Sequence, residues 1–340
     1  MNIYAPQGSE FEEIAAFAEE LQETGNSEEV VIDFSRVKFM TPAWSVLVGG
    51  LLRQSKKEKP DIKRKAINFK RLSYAAHIGF FEYFGLNYGQ KPDEAFGSDT
   101  YVPICIRRID EVRKLASEKF TAVGDILHDE AERLSTILTR TDTGDLQDTL
   151  AYSIREILRN VVEHSEAEDF VFTAQYWPGS RKVEVVVADQ GIGLATSLSE
   201  NPGLNIANDE EALKQAILPG ISSKAWRNKK HYDEWANSGY GLFMTANLCS
   251  HGGSFALISG GKMLRKDQDS ETFLPFRWPG TVVVMQIDTE KIDKLSDRLA
   301  ALRDEGAAIE RSLKKTATGP SKASSSAKPS KWKRADDKSV

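Results

Sequence analysis

The chain is poor in cysteine, with only Cys105 and Cys249 in 340 residues. Two thiols build neither a disulfide scaffold nor a cysteine-rich zinc site, so a reducing compartment, the cytoplasm, is the expected location. The five histidines are scattered and form no metal-ligand spacing. Long apolar runs are also missing. The longest, Ser45–Leu52, falls far short of the roughly 20 residues that span a bilayer. The N-terminus has no Lys/Arg-led signal core, and no membrane partner is expected. Positive charge is not in excess: 45 Lys+Arg stand against 50 Asp+Glu, a net charge of -5. That argues against a strongly basic nucleic-acid binder. No internal repeat is visible. What remains is the composition of a soluble globular protein, 28% charged and 40% hydrophobic, with a length that suggests about two domains.

The pattern divides the chain as follows. Residues 1–100 alternate helices (Phe11–Leu21, Ala43–Gln54, Ser73–Phe84) with short apolar strands (Val30–Phe34, Ile67–Phe69), the rhythm of a small α/β unit. Pro92, Gly97 and Pro103 then break the pattern, and 101–119 reads as a linker. Residues 120–289 carry long helices first and strands later. The helices are marked by Val123–Leu138 and Leu146–Val162, with shorter ones at Glu210–Leu218 and from Gly241. The strands are Phe170–Tyr176, Lys182–Ala188, Ser254–Ser259 and Thr281–Ile287. An amphipathic helix is expected at 290–313, against its own domain or a partner. Residues 314–340 read as a disordered basic tail. This tail carries +6, so the rest of the chain carries -11.

Four short patterns in the third block carry chemistry. Glu156 and Asn160 are four apart and share one helix face. A carboxylate beside an amide suits deprotonating a water and ligating Mg2+ through oxygen. Taken alone, such a pair is more often a solvated surface pair. Asp189 ends a strand and is followed by Gly191 and Gly193. The glycines let backbone approach a ligand, and the carboxylate can accept from an exocyclic amine. The plain reading is a Gly-rich turn, and the sequence lacks the dinucleotide fingerprint. Gly239-Tyr240-Gly241-Leu242 opens a helix, where unpaired N–H groups and the helix dipole favour phosphate. Gly280-Thr281 leads the last strand, its hydroxyl within reach of a base or a water.

In this order the four patterns resemble the GHKL ATPases, the superfamily of gyrase, heat-shock chaperone ATPases, histidine kinases and mismatch-repair ATPases. Glu163-His164-Ser165 and His251-Gly252-Gly253 also fit. The resemblance implies a Bergerat-type α/β sandwich, a mixed sheet with helices on one face, with ATP and Mg2+ as cofactors. It assigns Glu156 as the catalytic base and Asn160 as the Mg2+ ligand. Asp189 would hold the adenine amine. Gly191, Gly193, Gly239, Tyr240, Gly241, Leu242 and Thr281 would surround the nucleotide. A lid over about 220–238 would bring Ser223 and Lys224 to the γ-phosphate.

Val31–Met40 resembles the STAS domain of anti-sigma-factor antagonists. Where phosphorylated members carry Asp-Ser-Ser-Gly, this chain reads Thr41-Pro42-Ala43-Trp44, with neither serine. A histidine kinase does not fit. His128 lies too close to Asn160 for a dimerising hairpin to intervene, and it reads as a helix-groove histidine. Too little follows residue 289 for a gyrase-like second domain. The expectation is an ATP-dependent conformational switch or ATPase that regulates a protein partner through the STAS-like unit, or through a second copy of the chain as a homodimer. The alternatives are a Ser/Thr kinase like the anti-sigma-factor kinases, and a non-hydrolysing nucleotide-dependent module. Nucleic acid is a lesser partner candidate. It would bind the nine Lys/Arg of Arg53–Arg71 or the tail's Lys331-Trp332-Lys333-Arg334, which read more plainly as solvated charge.

Overall fold

The computed structural model describes residues 1–222 and 239–313. The N-terminal unit is built from β1 (Asn2–Tyr4), α1 (Phe11–Glu23), β2 (Glu29–Asp33), α2 (Pro42–Glu58), β3 (Lys63–Ile67), α3 (Ser73–His77) and α4 (Phe80–Tyr83). Its three strands pair in parallel in the order β1-β2-β3, which requires the helical crossovers that α1 and α2 provide. The single helix expected over Ser73–Phe84 is broken at Gly79, whose φ of 88° is left-handed. The third strand lies at Lys63–Ile67, earlier than Ile67–Phe69. Its Lys-Arg-Lys start hides it from a hydrophobicity pattern.

The larger unit contains β4 (Tyr101–Arg108), α5 (Ile109–Glu118), α6 (Val123–Ile126), α7 (His128–Thr139), α8 (Asp145–His164), β5 (Asp169–Trp177), β6 (Lys182–Asp189), α9 (Gly193–Ser199), α10 (Asp209–Ala216), α11 (Gly241–Gly252), β7 (Gly253–Asp267), β8 (Glu271–Asp288) and α12 (Ile292–Leu313). The α/β class is as expected. Two details differ. The five-stranded sheet, ordered β4-β5-β6-β8-β7, is antiparallel at every pairing and not mixed. The 101–119 segment is not a linker, because β4 is the edge strand of this sheet and α5 follows it. Pro103 suggested a break, but a bulge between Val102 and Cys105 accommodates it on an edge strand.

The sheet is covered on both faces, which corrects the expectation of helices on one face only. Side chains alternate along each strand. Val183, Val185 and Val187 of β6 join the core beneath α7, α8 and α11. Val186 and Ala188 join the core shared with the N-terminal unit. β8 repeats this, with Val283, Met285 and Ile287 on one side and Val282 and Val284 on the other. The division near residue 100 is therefore one of chain order, not of packing.

Helix α2 makes the second core possible. Thr41 caps it by accepting the Trp44 N–H at 3.2 Å, and Pro42 opens its first turn. Every residue from Pro42 to Leu52 is buried, as a helix packed on both sides requires. Gly49 and Gly50 cost helix propensity, roughly 1 kcal/mol each. Close packing explains them: a Cβ on Gly49 would lie 2.5 Å from the Tyr83 ring, and one on Gly50 2.3 Å from the Trp278 ring. Arg53 of α2 forks onto Asp169 of β5. Most of the basic stretch is likewise engaged within the fold. Lys57 pairs with Glu168 and Lys65 with Glu29, Lys59 donates to the Leu21 and Gln22 carbonyls, and Arg64 and Arg71 also donate to backbone carbonyls. Helix α12 packs on its own unit, with Leu295, Leu299 and Leu302 buried and Glu310 accepting the Tyr240 hydroxyl at 2.8 Å.

One buried carboxylate sits in the shared core. Glu184 of β6 accepts the Ala43 N–H at the α2 N-terminus at 2.6 Å, and also bonds the Gln286 amide and the Thr41 hydroxyl. Burial raises its pKa, and these three bonds only partly oppose that. A carboxylate at a helix N-terminus also meets the positive end of the helix dipole. Glu184→Ala is expected to destabilise the protein by about 2–4 kcal/mol, because it orphans buried donors and leaves a void. Glu184→Gln, which keeps an acceptor for Ala43, should cost clearly less. Urea unfolding of the two variants checks the difference.

Candidate functional site

On the helical side of the sheet, α8 lies beside the ends of β6 and β8 and a cleft opens between them. Ile157, Asn160, Val161 and His164 of α8 form one wall. Val187, Thr281 and Val283 form the floor, Leu194 and Leu198 of α9 the far wall, and Ile221, Ser222 and Leu242 the upper end. The lining is mostly apolar, with a few polar groups converging on it, as in small-molecule sites generally.

Asp189 lies at the end of β6 and is fully buried. Burial pushes its pKa up to about 7, and hydrogen bonds from the Gly191 and Thr281 backbones offset this only in part. The Gly191 N–H to Oδ1 distance is 2.9 Å. Gly280 has φ 85°, and a Cβ there would lie 2.5 Å from both the Asp189 carboxylate and its carbonyl oxygen. The Gly280-Thr281 pair, weak as a sequence signal, is thus required by Asp189 itself.

The turn after Asp189 is held on three sides. A Cβ on Gly191 would lie 1.8 Å from the Ser165 carbonyl oxygen at the end of α8, and the Ile192 N–H donates to that same oxygen at 2.7 Å. Gly193, with φ 72°, opens α9. Ser259 bridges the next step, accepting the Leu194 N–H at 2.8 Å and donating to the Gly280 carbonyl at 2.7 Å. Backbone packing alone therefore demands glycine at 191 and 280. Ser259 escaped the sequence reading, and its one signal was its place at a strand end before Gly260-Gly261.

The second glycine pair meets α8. Gly239 has φ 69° and its carbonyl accepts the Gly220 N–H at 3.1 Å, which brings the two ends of 221–238 together. A Cβ on Gly241 would lie 2.7 Å from the Glu156 Cβ, so α11 starts directly against Glu156. Glu156 is buried and pairs with Arg159, itself buried, at 3.1 Å. Asn160 lies one turn on and lines the cleft, as do Gly193, Leu242 and Thr281. Tyr240 does not line the cleft. Its hydroxyl reaches Glu310, and its ring packs edge-on against Phe243. Ser223 and Lys224 lie outside the described residues. Among the described residues no group of three or more His, Cys, Asp or Glu side chains converges, and no helix is long and apolar enough to cross a membrane. His128 is half-exposed at the start of α7 beside Glu132.

The back of the turn belongs to the N-terminal unit. Gln190 Nε2 donates to the Gly50 carbonyl of α2 at 2.9 Å, and the buried Trp278 Nε1 donates to the Asp189 carbonyl at 2.7 Å. Neither residue stood out in the sequence, because the α2 partner is about 140 residues away.

Comparison with protein-family models, curated proteins and solved structures found no match.

The Asp189 titration has a stability consequence. Its folded pKa, about 7, lies above the ordinary value of 3.8. Between these values the folded state holds a proton that the unfolded state has released, so stability should fall as pH rises from about 4 to 7. Urea midpoints measured across this range should show that decline, and Asp189→Asn should flatten it.

Proposed function

We propose that this protein binds Mg-ATP in the cleft between α8 and the sheet and acts as an ATP-dependent conformational switch, reset by hydrolysis, that regulates a protein partner. The observation that carries the reading is a mostly apolar cleft onto which Asn160, Gly193, Leu242 and Thr281 converge, with the Asp189 carboxylate buried two residues beyond the cleft-lining Val187 of β6. Apolar walls suit a flat base, and a carboxylate beneath them suits an exocyclic amine donor. The family resemblance of the four motifs supports the same assignment, and all four border this one cleft.

The residues fit the group. Asp189 would accept from the amine, in its ionised form. Asn160 would offer its amide oxygen to Mg2+, a hard cation that prefers oxygen ligands. The lack of a wider carboxylate cluster is compatible with Mg2+ held mainly by phosphates and water. Bound ATP supplies a phosphoryl group for transfer to water. Glu156 would take the proton of that water, and Arg159 keeps an opposite charge against it, which suits a carboxylate that must be ionised to act as a base.

The full chain should bind Mg-ATP by calorimetry, and binding of adenosine should weaken as pH falls below about 7, because protonation removes the charge with which Asp189 holds the amine. Glu156→Gln should retain ATP affinity and lose phosphate release by roughly 100-fold or more. No adenine-nucleotide binding at millimolar concentration would reject the reading. Radiolabel from γ-labelled ATP appearing on protein rather than as free phosphate would reassign the activity to a kinase.

A further inference from the structure

We infer that α2 of the N-terminal unit is part of the nucleotide site, and that Gln190 and Trp278 are the positioning residues through which it sets the Asp189–Gly191 turn. This rests on the nucleotide reading above.

The geometry concentrates on one peptide. The Asp189 side chain projects to the same side of β6 as the cleft-lining Val187, while its carbonyl accepts the Trp278 indole N–H at 2.7 Å. The Trp278 ring lies against Gly50 of α2 so closely that a Cβ there would come within 2.3 Å of it. The next residue, Gln190, donates to the carbonyl of that same Gly50 at 2.9 Å. Two consecutive residues of the turn are thus tied to one point on α2, one directly and one through a buried indole. Each bond is worth about 1 kcal/mol net, and an orphaned buried partner costs more. Their direction matters as much as their energy. They fix the backbone from which the Asp189 carboxylate projects, and a displacement of a few tenths of an ångström degrades a buried hydrogen bond to a ligand.

Glycine at position 50 weakens a buried helix, and the space it leaves is taken by the Trp278 ring and the Tyr83 hydroxyl. The coupling must also run in reverse: whatever the N-terminal unit contributes to nucleotide affinity, the nucleotide returns to α2 docking. Any partner that shifts α2 would therefore change the affinity for nucleotide without touching the cleft.

The test uses the full chain with Gln190→Met, which keeps bulk and removes the donor, and Trp278→Phe, which keeps an aromatic ring and removes the N–H. Mg-ATP affinity is measured by calorimetry, the folded fraction by urea unfolding, and amide exchange of residues 42–55 with and without Mg-ATP. The expected result is folded variants with Kd raised about tenfold, and wild-type α2 amides that exchange more slowly with Mg-ATP, a protection lost in the variants. If Trp278→Phe does not fold, Gln190→Met decides the matter alone. Folded variants with Kd within twofold of wild type, together with α2 exchange indifferent to Mg-ATP, would overturn the inference while leaving the nucleotide reading intact. Wild-type protein that binds no adenine nucleotide would overturn both.

Discussion

A β-sheet whose strands are apolar on both faces must have both faces covered, and the rest of this structure follows from that constraint. Strand β6 is buried at every position after Lys182, so no single layer of helices would suffice. Helices α7, α8 and α11 take one face. Helix α2, buried at every residue from Pro42 to Leu52, takes the other. Because α2 is inserted between two sheets, it contacts β1–β3 on one side and the larger sheet on the other. The chain therefore has two hydrophobic cores, but they do not coincide with the two halves of the sequence.

Polar groups buried in such an interface must find partners, and the partners found here link distant segments. Glu184 bonds the α2 N-terminus across 141 residues of sequence. Asp189, five residues along the same strand and so on its other face, gives its carbonyl to Trp278. One strand thus carries two buried carboxylates with different surroundings. Glu184 is bonded by one backbone N–H and two side chains, whereas Asp189 is bonded by two backbone groups.

Much of this was legible from the sequence where pattern is local. Helices α1, α8 and α12 and strands β5 and β6 lie within one or two residues of the expected positions, and α2 runs four residues longer at its C-terminal end. The motif residues Asn160, Gly193, Leu242 and Thr281 do line one cleft. The failures have physical causes. The β3 strand begins Lys-Arg-Lys and sits on an edge, so its side chains face solvent and carry no hydrophobic signal. The long β7–β8 hairpin was seen only at its buried ends, because Gly260-Gly261 and Pro275 to Pro279 interrupt the pattern and the register shifts there. Tyr240, expected beside the nucleotide, instead bonds Glu310 of α12 through its hydroxyl. What could not be read at all were the contacts across the sheet, Glu184 to Ala43 and Gln190 to Gly50, because neither partner has an unusual neighbourhood in sequence.

These contacts bear on how the N-terminal unit acts. Thr41 is buried, caps α2, and donates to Glu184, which is itself buried on the sheet. Adding two negative charges at that hydroxyl would place them against a carboxylate inside a core, at a cost that only unfolding the interface would relieve. Regulation by modification at Thr41 is therefore incompatible with this packing. If the unit communicates with the cleft, the route is mechanical. It runs from α2 through Gly50 to Trp278 and Gln190 and so to the turn that presents Asp189, in a path short enough that no intermediate element need move.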